Sequence, residues 1–223
     1  MIGINRNKAA NEVPRFIKNA AFLMQEAVIY ERKDPDISLA LYMKALNNFT
    51  EDCEGKADCC NQIGKVLLSK NLYKEAIKYL EYSFEFRIRN LDNLDNLSLF
   101  SDIHRDPDLR SRVREDSFRL AKAYCENGNI LSGLEMFHKS CCLADSKVNP
   151  DFYSRLFKEV KKVEDKIITY GDRDGLQNIN KQQLIDRVKT IFNIIQKPAI
   201  AFYPIGTAKN LTNFSQQTFN TRS

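Results

Sequence analysis

The amino-acid sequence predicts an all-α protein of stacked helical hairpins. Three observations lead there. Small and apolar residues recur at the same internal offsets in separate stretches of the chain. Only eight Gly and six Pro occur in 223 residues, too few for a turn-rich all-β chain. Past Asn149-Pro150, the apolar residues fall at helical period and not in strict alternation.

The first hairpin is expected near 16–48. Leu23, Ala27 and Tyr30 share a helix face, Asp34-Pro35-Asp36 supplies the turn, and Ser38, Tyr42 and Ala45 follow on the second helix. The second hairpin is expected near 57–90, with Cys60, Ile63, Gly64 and Leu67 on its first helix and Ala76, Leu80 and Ser83 on its second. Asn71 stands at the turn. A third, near 114–146, repeats those offsets with Ser117, Leu120, Ala121 and Tyr124, then Gly133, Phe137 and Ser140. Gly128-Asn129 is its turn. Small residues at matched places on two antiparallel helices let the backbones approach, while larger ones fill the space beside the contact.

Between the second and third hairpins lies an insertion at 91–113. The run from Arg87 to Asp95 extends the preceding helix, and Asp106-Pro107 breaks the chain before the next. Phe152, Leu156, Val160, Val163 and Ile167, then Leu184, Val188, Ile191, Phe192 and Ile195, predict two more helices within 151–196. They lack the small residues of the repeats and are expected to cap the array. The helical domain is thus 1–196. The stretch 197–223, rich in Asn, Thr, Ser and Gln, is expected to be a disordered tail.

The offsets Cys60, Ile63, Gly64, Leu67, Ala76, Leu80 and Ser83, matched by Ser117, Leu120, Ala121, Tyr124, Gly133, Phe137 and Ser140, resemble the tetratricopeptide repeat (TPR) family, with Cys60 where that family favours Trp. The resemblance implies a right-handed α-α superhelix of TPR-like helical hairpins with C-terminal capping helices. It further implies a protein-binding scaffold or adaptor whose concave groove is lined by the first helix of each hairpin. Carried over position by position, the groove receives Asp58, Asn61, Gln62 and Lys65 from one hairpin and Glu115, Phe118, Arg119, Lys122 and Cys125 from the next. Asn61, Gln62, Lys65, Phe118, Arg119 and Lys122 are the candidate partner-binding residues. The groove is expected to be polar and modestly basic, suited to a protein or peptide segment that is acidic or extended. Two alternatives stand beside this reading. One is a co-chaperone binding a chaperone C-terminal tail, although Met24 and Val28 occupy the places where that clamp has Asn and Lys. The other is a structural subunit of a larger ciliary or nuclear assembly, docking through the insertion or the tail.

Composition narrows the remaining classes. The net charge of +5 includes Lys197, Lys209 and Arg222, with no acid in 197–223. The body of the chain therefore lacks the clustered cations that phosphate binding needs, and no nucleic-acid partner is expected. No apolar run reaches a membrane span, and Arg15, Lys18, Gln25 and Glu26 interrupt any signal-peptide core. A cytoplasmic protein is expected, with nuclear or ciliary compartments as alternatives, and Cys53, Cys59, Cys60, Cys125, Cys141 and Cys142 as reduced thiols. Adjacent cysteines point about 100° apart on a helix, and His104 and His138 are the only imidazoles, so no metal and no cofactor is expected. His138 is expected to face solvent. With no phosphate loop and no nucleophile–base pairing, no enzyme is expected either.

Overall fold

The computed structural model describes residues 15–97, 107–143, 150–170 and 181–196. Eight helices account for most of these: α1 (Arg15–Tyr30), α2 (Pro35–Leu46), α3 (Glu54–Ser69), α4 (Tyr73–Leu97), α5 (Pro107–Glu126), α6 (Ile130–Cys142), α7 (Pro150–Tyr170) and α8 (Lys181–Gln196). Among the described residues there is no strand, and no helix is long and apolar enough to cross a membrane. The tail at 197–223 and the centre of the insertion lie outside the described residues. The insertion's flanks do not: α4 continues to Leu97, and α5 already begins at Pro107.

Local chemistry sets the helix ends. Asp34 caps α2, its Oδ1 accepting from the backbone N–H groups of Asp36 and Ile37 at 3.1 Å each, and Pro35 occupies the first turn, where no N–H is needed. At the end of α3, Asn71 takes φ 59°, so that Leu72 N–H reaches Leu67 O at 3.0 Å and Asn71 N–H reaches Leu68 O at 3.1 Å. The end of α5 repeats this geometry with Gly128 at φ 88°, Asn129 N–H donating to Tyr124 O at 2.8 Å. Asn129 then accepts from Ser132 N–H through its side chain at 3.2 Å, starting α6. The chain therefore reverses within two or three residues at both places, and each helix pair is antiparallel.

The repeated small residues lie where the helices meet. A Cβ added to Gly64 on α3 would come within 2.6 Å of Leu80 Cδ2 on α4, and one added to Gly133 on α6 within 3.0 Å of Ala121 O on α5. Ala76, Ser83 and Ser140 are fully buried. The two serines are satisfied there: Ser83 donates to Asp116 at 2.8 Å and Ser140 to the Arg114 carbonyl at 2.9 Å.

α5 belongs to two apolar cores. Leu109, Val113, Leu120 and Ala123 pack with Ile63, Leu80 and Leu91 of the preceding hairpins. Phe118, Ala121 and Cys125 pack with α6 and the capping pair. In that second core Phe118 meets Phe137 and Phe152 edge-on, with ring centroids 5.8 and 5.7 Å apart. Such pairs contribute about 0.5–1.5 kcal/mol beyond burial. Arg187 on α8 donates to Glu135 on α6 at 3.1 Å, so α8 lies against α6 beside α7 and the last two helices close the array together.

Candidate protein-interaction face

Paired charges join the first helices of the hairpins side by side. From the turn after α1, Glu31 accepts from Lys65 on α3 at 2.5 Å and from the Tyr42 hydroxyl at 2.7 Å. Between α3 and α5, Arg119 donates to the Asn61 carbonyl oxygen. Between α5 and α7, Arg155 donates to Glu115 at 2.8 Å, Lys122 stands 3.6 Å from Glu159, and Lys166 donates to Glu126 at 2.7 Å. Each exposed pair contributes only about 0–1 kcal/mol, so the ladder mainly fixes which side chains stand beside which.

Behind this face lies a buried polar cluster. Arg87 on α4 is 2% exposed and donates to Asp116 at 2.9 and 3.0 Å, to Glu54 at 2.7 Å, to Ser83 at 3.2 Å and to Asp58. Asp116 also accepts from Asn61 Nδ2. Burial raises the Asp116 carboxyl to about 6, against the pull of Arg87, Ser83 and Arg119 toward the charged form. Glu54 ties in Arg112 at 2.9 Å, which also donates to Asp108 at 2.5 Å. One cluster thus links α3, α4 and α5.

The candidate residues from the sequence fall into two groups. Lys65, Lys122 and Gln62 stand on the accessible face: Lys65 is 45% exposed, Lys122 is 36% exposed with its Nζ 6.0 Å over the Phe118 ring, and Gln62 is half-buried. Asn61, Phe118 and Arg119 lie deeper. Asn61 is 3% exposed, held between Asp116 and Arg119, and Phe118 is 6% exposed within the aromatic trio. Arg119 is half-buried, and burial lowers its pKa. Of the other groove positions, Asp58 is engaged by Arg87 and Cys125 is buried. Each lysine expected to make the groove basic has a carboxylate from a neighbouring element, because the residues opposite it are Glu31 and Glu159. His138, expected to face solvent, is half-buried with its Nε2 3.9 Å from Cys142 Sγ, and burial lowers its pKa. Among the described residues no three His, Cys, Asp or Glu side chains converge as for a metal ion.

Gln62 Oε1 is buried and has no hydrogen-bond partner among the described residues. Sequence reasoning missed Glu31, Arg87, Asp116, Arg155 and Glu159. A signal existed for the first: Glu31 and Lys65 are 34 residues apart, as are Asp36 and its partner Lys70, one repeat length in each case. None marked Arg87, which reads in sequence as one more charge on a helix.

No family model matches the chain, and no curated protein matches it. Among solved structures, the chain is similar to the N-terminal domain of stress-induced protein-1 from C. elegans, at 16% identity over 68% of this chain and 99% of that one, with a TM-score of 0.45. It is also similar to TPR-like repeats of a putative kinesin light chain from Podosopora anserina, at 12% identity over 82% and 99% of the two chains, with a TM-score of 0.33. A de novo designed helical repeat protein matches at 14% identity over 82% and 93%, with a TM-score of 0.36.

Proposed function

We propose that this chain is a non-enzymatic scaffold that holds an extended segment of another protein against the face formed by α3 and α5. The observation that carries the reading is the unsatisfied amide oxygen of Gln62, an acceptor set on the same face as Lys65 and Lys122. An extended peptide offers backbone N–H donors at such a face, and one pairing with Gln62 removes the cost of about 1–3 kcal/mol that an orphaned buried acceptor carries. Acidic side chains of the segment compete with Glu31 and Glu159 for Lys65 and Lys122. Asn61, Arg119 and Phe118 hold the face in shape from behind.

The test pairs affinity purification and quantitative mass spectrometry with a direct titration of the recovered segment as a synthetic peptide. The wild type is compared with the Lys65→Glu, Lys122→Glu double variant, both checked for helicity by circular dichroism. Loss of one partner set and at least tenfold weaker peptide binding is the expected outcome. An unchanged partner set refutes binding at this face and leaves docking through another surface, as a structural subunit would use.

A further inference from the structure

The internal repeats show what covers the outward side of a first helix. In α3 that side carries Cys59 and Val66, seven residues apart and 0% and 3% exposed. Cys59 lies against the preceding hairpin, its Sγ donating to the Tyr42 carbonyl of α2 at 3.2 Å. In α5 the same register places hold Asp116 and Ala123, both 0% exposed, with Asp116 engaged by Ser83 and Arg87 of α4. In α1 those places hold Phe22 and Ile29, and they are 66% and 61% exposed. Val28 beside them is 55% exposed. α1 is therefore apolar on two sides: Ala20 and Ala27 face its own hairpin, while Phe22 and Ile29 occupy positions that a neighbouring helix covers everywhere else in the array. Contiguous exposed apolar surface of this kind marks an interface.

We propose that this side of α1 is the contact of a two-fold symmetric homodimer, α1 packing antiparallel on α1 of a second copy. The stripe is self-complementary in that arrangement. With Gln25 near the axis, Phe22 of one copy meets Ile29 of the other at both ends, and no charged position separates them on the stripe. Two other occupants fit less well. A head-to-tail stack needs an apolar partner face at the far end of the array, but there the Phe157 ring lies 5.0 Å from Phe192, and the ion pairs Lys161–Glu164 at 2.5 Å and Lys189–Asp186 at 3.6 Å make the surface polar. Residues 1–14 contain no two large apolar residues seven apart to lay along Phe22 and Ile29.

Sedimentation equilibrium of the full chain tests this at up to about 100 μM, a concentration that populates a dimer of micromolar affinity. The expected mass is twice 25.8 kDa, falling to a single chain in the Phe22→Glu, Ile29→Glu variant and unchanged in Phe157→Glu. A wild-type monomer, an open-ended polymer, or a dimer lost in Phe157→Glu but kept in the α1 variant overturns the proposal. A photo-crosslinker at Gln25 in mixed isotopically labelled copies reads the same contact without disturbing the stripe. A crosslink to α1 of the other copy is expected, and one confined to residues 1–14 of the same copy overturns it.

Discussion

Nη1 of Arg87 donates to both carboxylate oxygens of Asp116, at 3.0 and 2.9 Å, in a place where the two side chains are 2% and 1% exposed. The pair ties the last turns of α4 to α5 and, through Asn61 and Arg119, holds the back of the proposed binding face. A buried pair gains little over an apolar one, yet breaking it leaves a charge with no counter-ion.

Arg87→Met therefore destabilises the fold by about 3–5 kcal/mol, because Asp116 keeps only Ser83 and Asn61 as donors from α4 and α3. The Arg87→Met, Asp116→Leu double variant loses less than the sum of the two single variants. Urea unfolding of the four proteins measures the coupling, and additive losses contradict a shared cluster.

Gly64→Ala tests the close approach of α3 to α4. Intrinsic propensity favours Ala in a helix by about 1 kcal/mol, but the new methyl meets Leu80 Cδ2 at 2.6 Å, and overpacking of a core costs about 1–3 kcal/mol. A net loss in thermal and denaturant stability is expected, partly relieved when Leu80 is also cut to Ala. A more stable Gly64→Ala protein rules the contact out.

Asn71 is the non-glycine residue with positive φ, at 59°. Asn71→Ala puts a Cβ in the left-handed region without the local hydrogen bonding of Asn and costs about 1 kcal/mol, whereas Asn71→Gly holds stability near wild type. Equal midpoints for the two variants in a denaturant titration contradict the turn geometry.

Alkaline pH acts through the thiols. Burial pushes Cys59, Cys60, Cys125 and Cys141 up to about 12 from 9.0. The unfolded chain releases these protons first, so the stability they contribute is full below about 9 and is lost as pH rises toward 12. The slope reaches about 1.4 kcal/mol per pH unit for each thiol. Tyr42 and Tyr124, raised by burial and by hydrogen bonds to Glu31 and Glu81, add to it. Unfolding free energies between neutral pH and pH 10.5 are expected to fall steeply. Cys125→Ala makes the fall shallower, and a flat profile contradicts the burial of the thiols.

The all-helical class, the antiparallel hairpins and their turns were legible in the sequence because each depends on short-range rules. Apolar and small residues recur at helical spacing, and Asn71, Gly128 and Asn129 are residue types that turns and caps require. Gly64 and Gly133 could be read as contact points for the same reason, since only a small residue lets two backbones come that near. What tertiary structure alone decided is how the polar residues are spent. Charges are placed by partners on other helices: Lys65 by Glu31, Lys122 by Glu159, and Arg87 by Glu54, Asp58 and Asp116, separations of up to 37 residues that no local pattern encodes. Position 3 of the repeat makes the same point. It holds Phe22, Cys59 and Asp116 in turn, and only the presence or absence of a preceding helix determines whether that place is a surface, a thiol packed on a carbonyl, or the buried half of an ion pair.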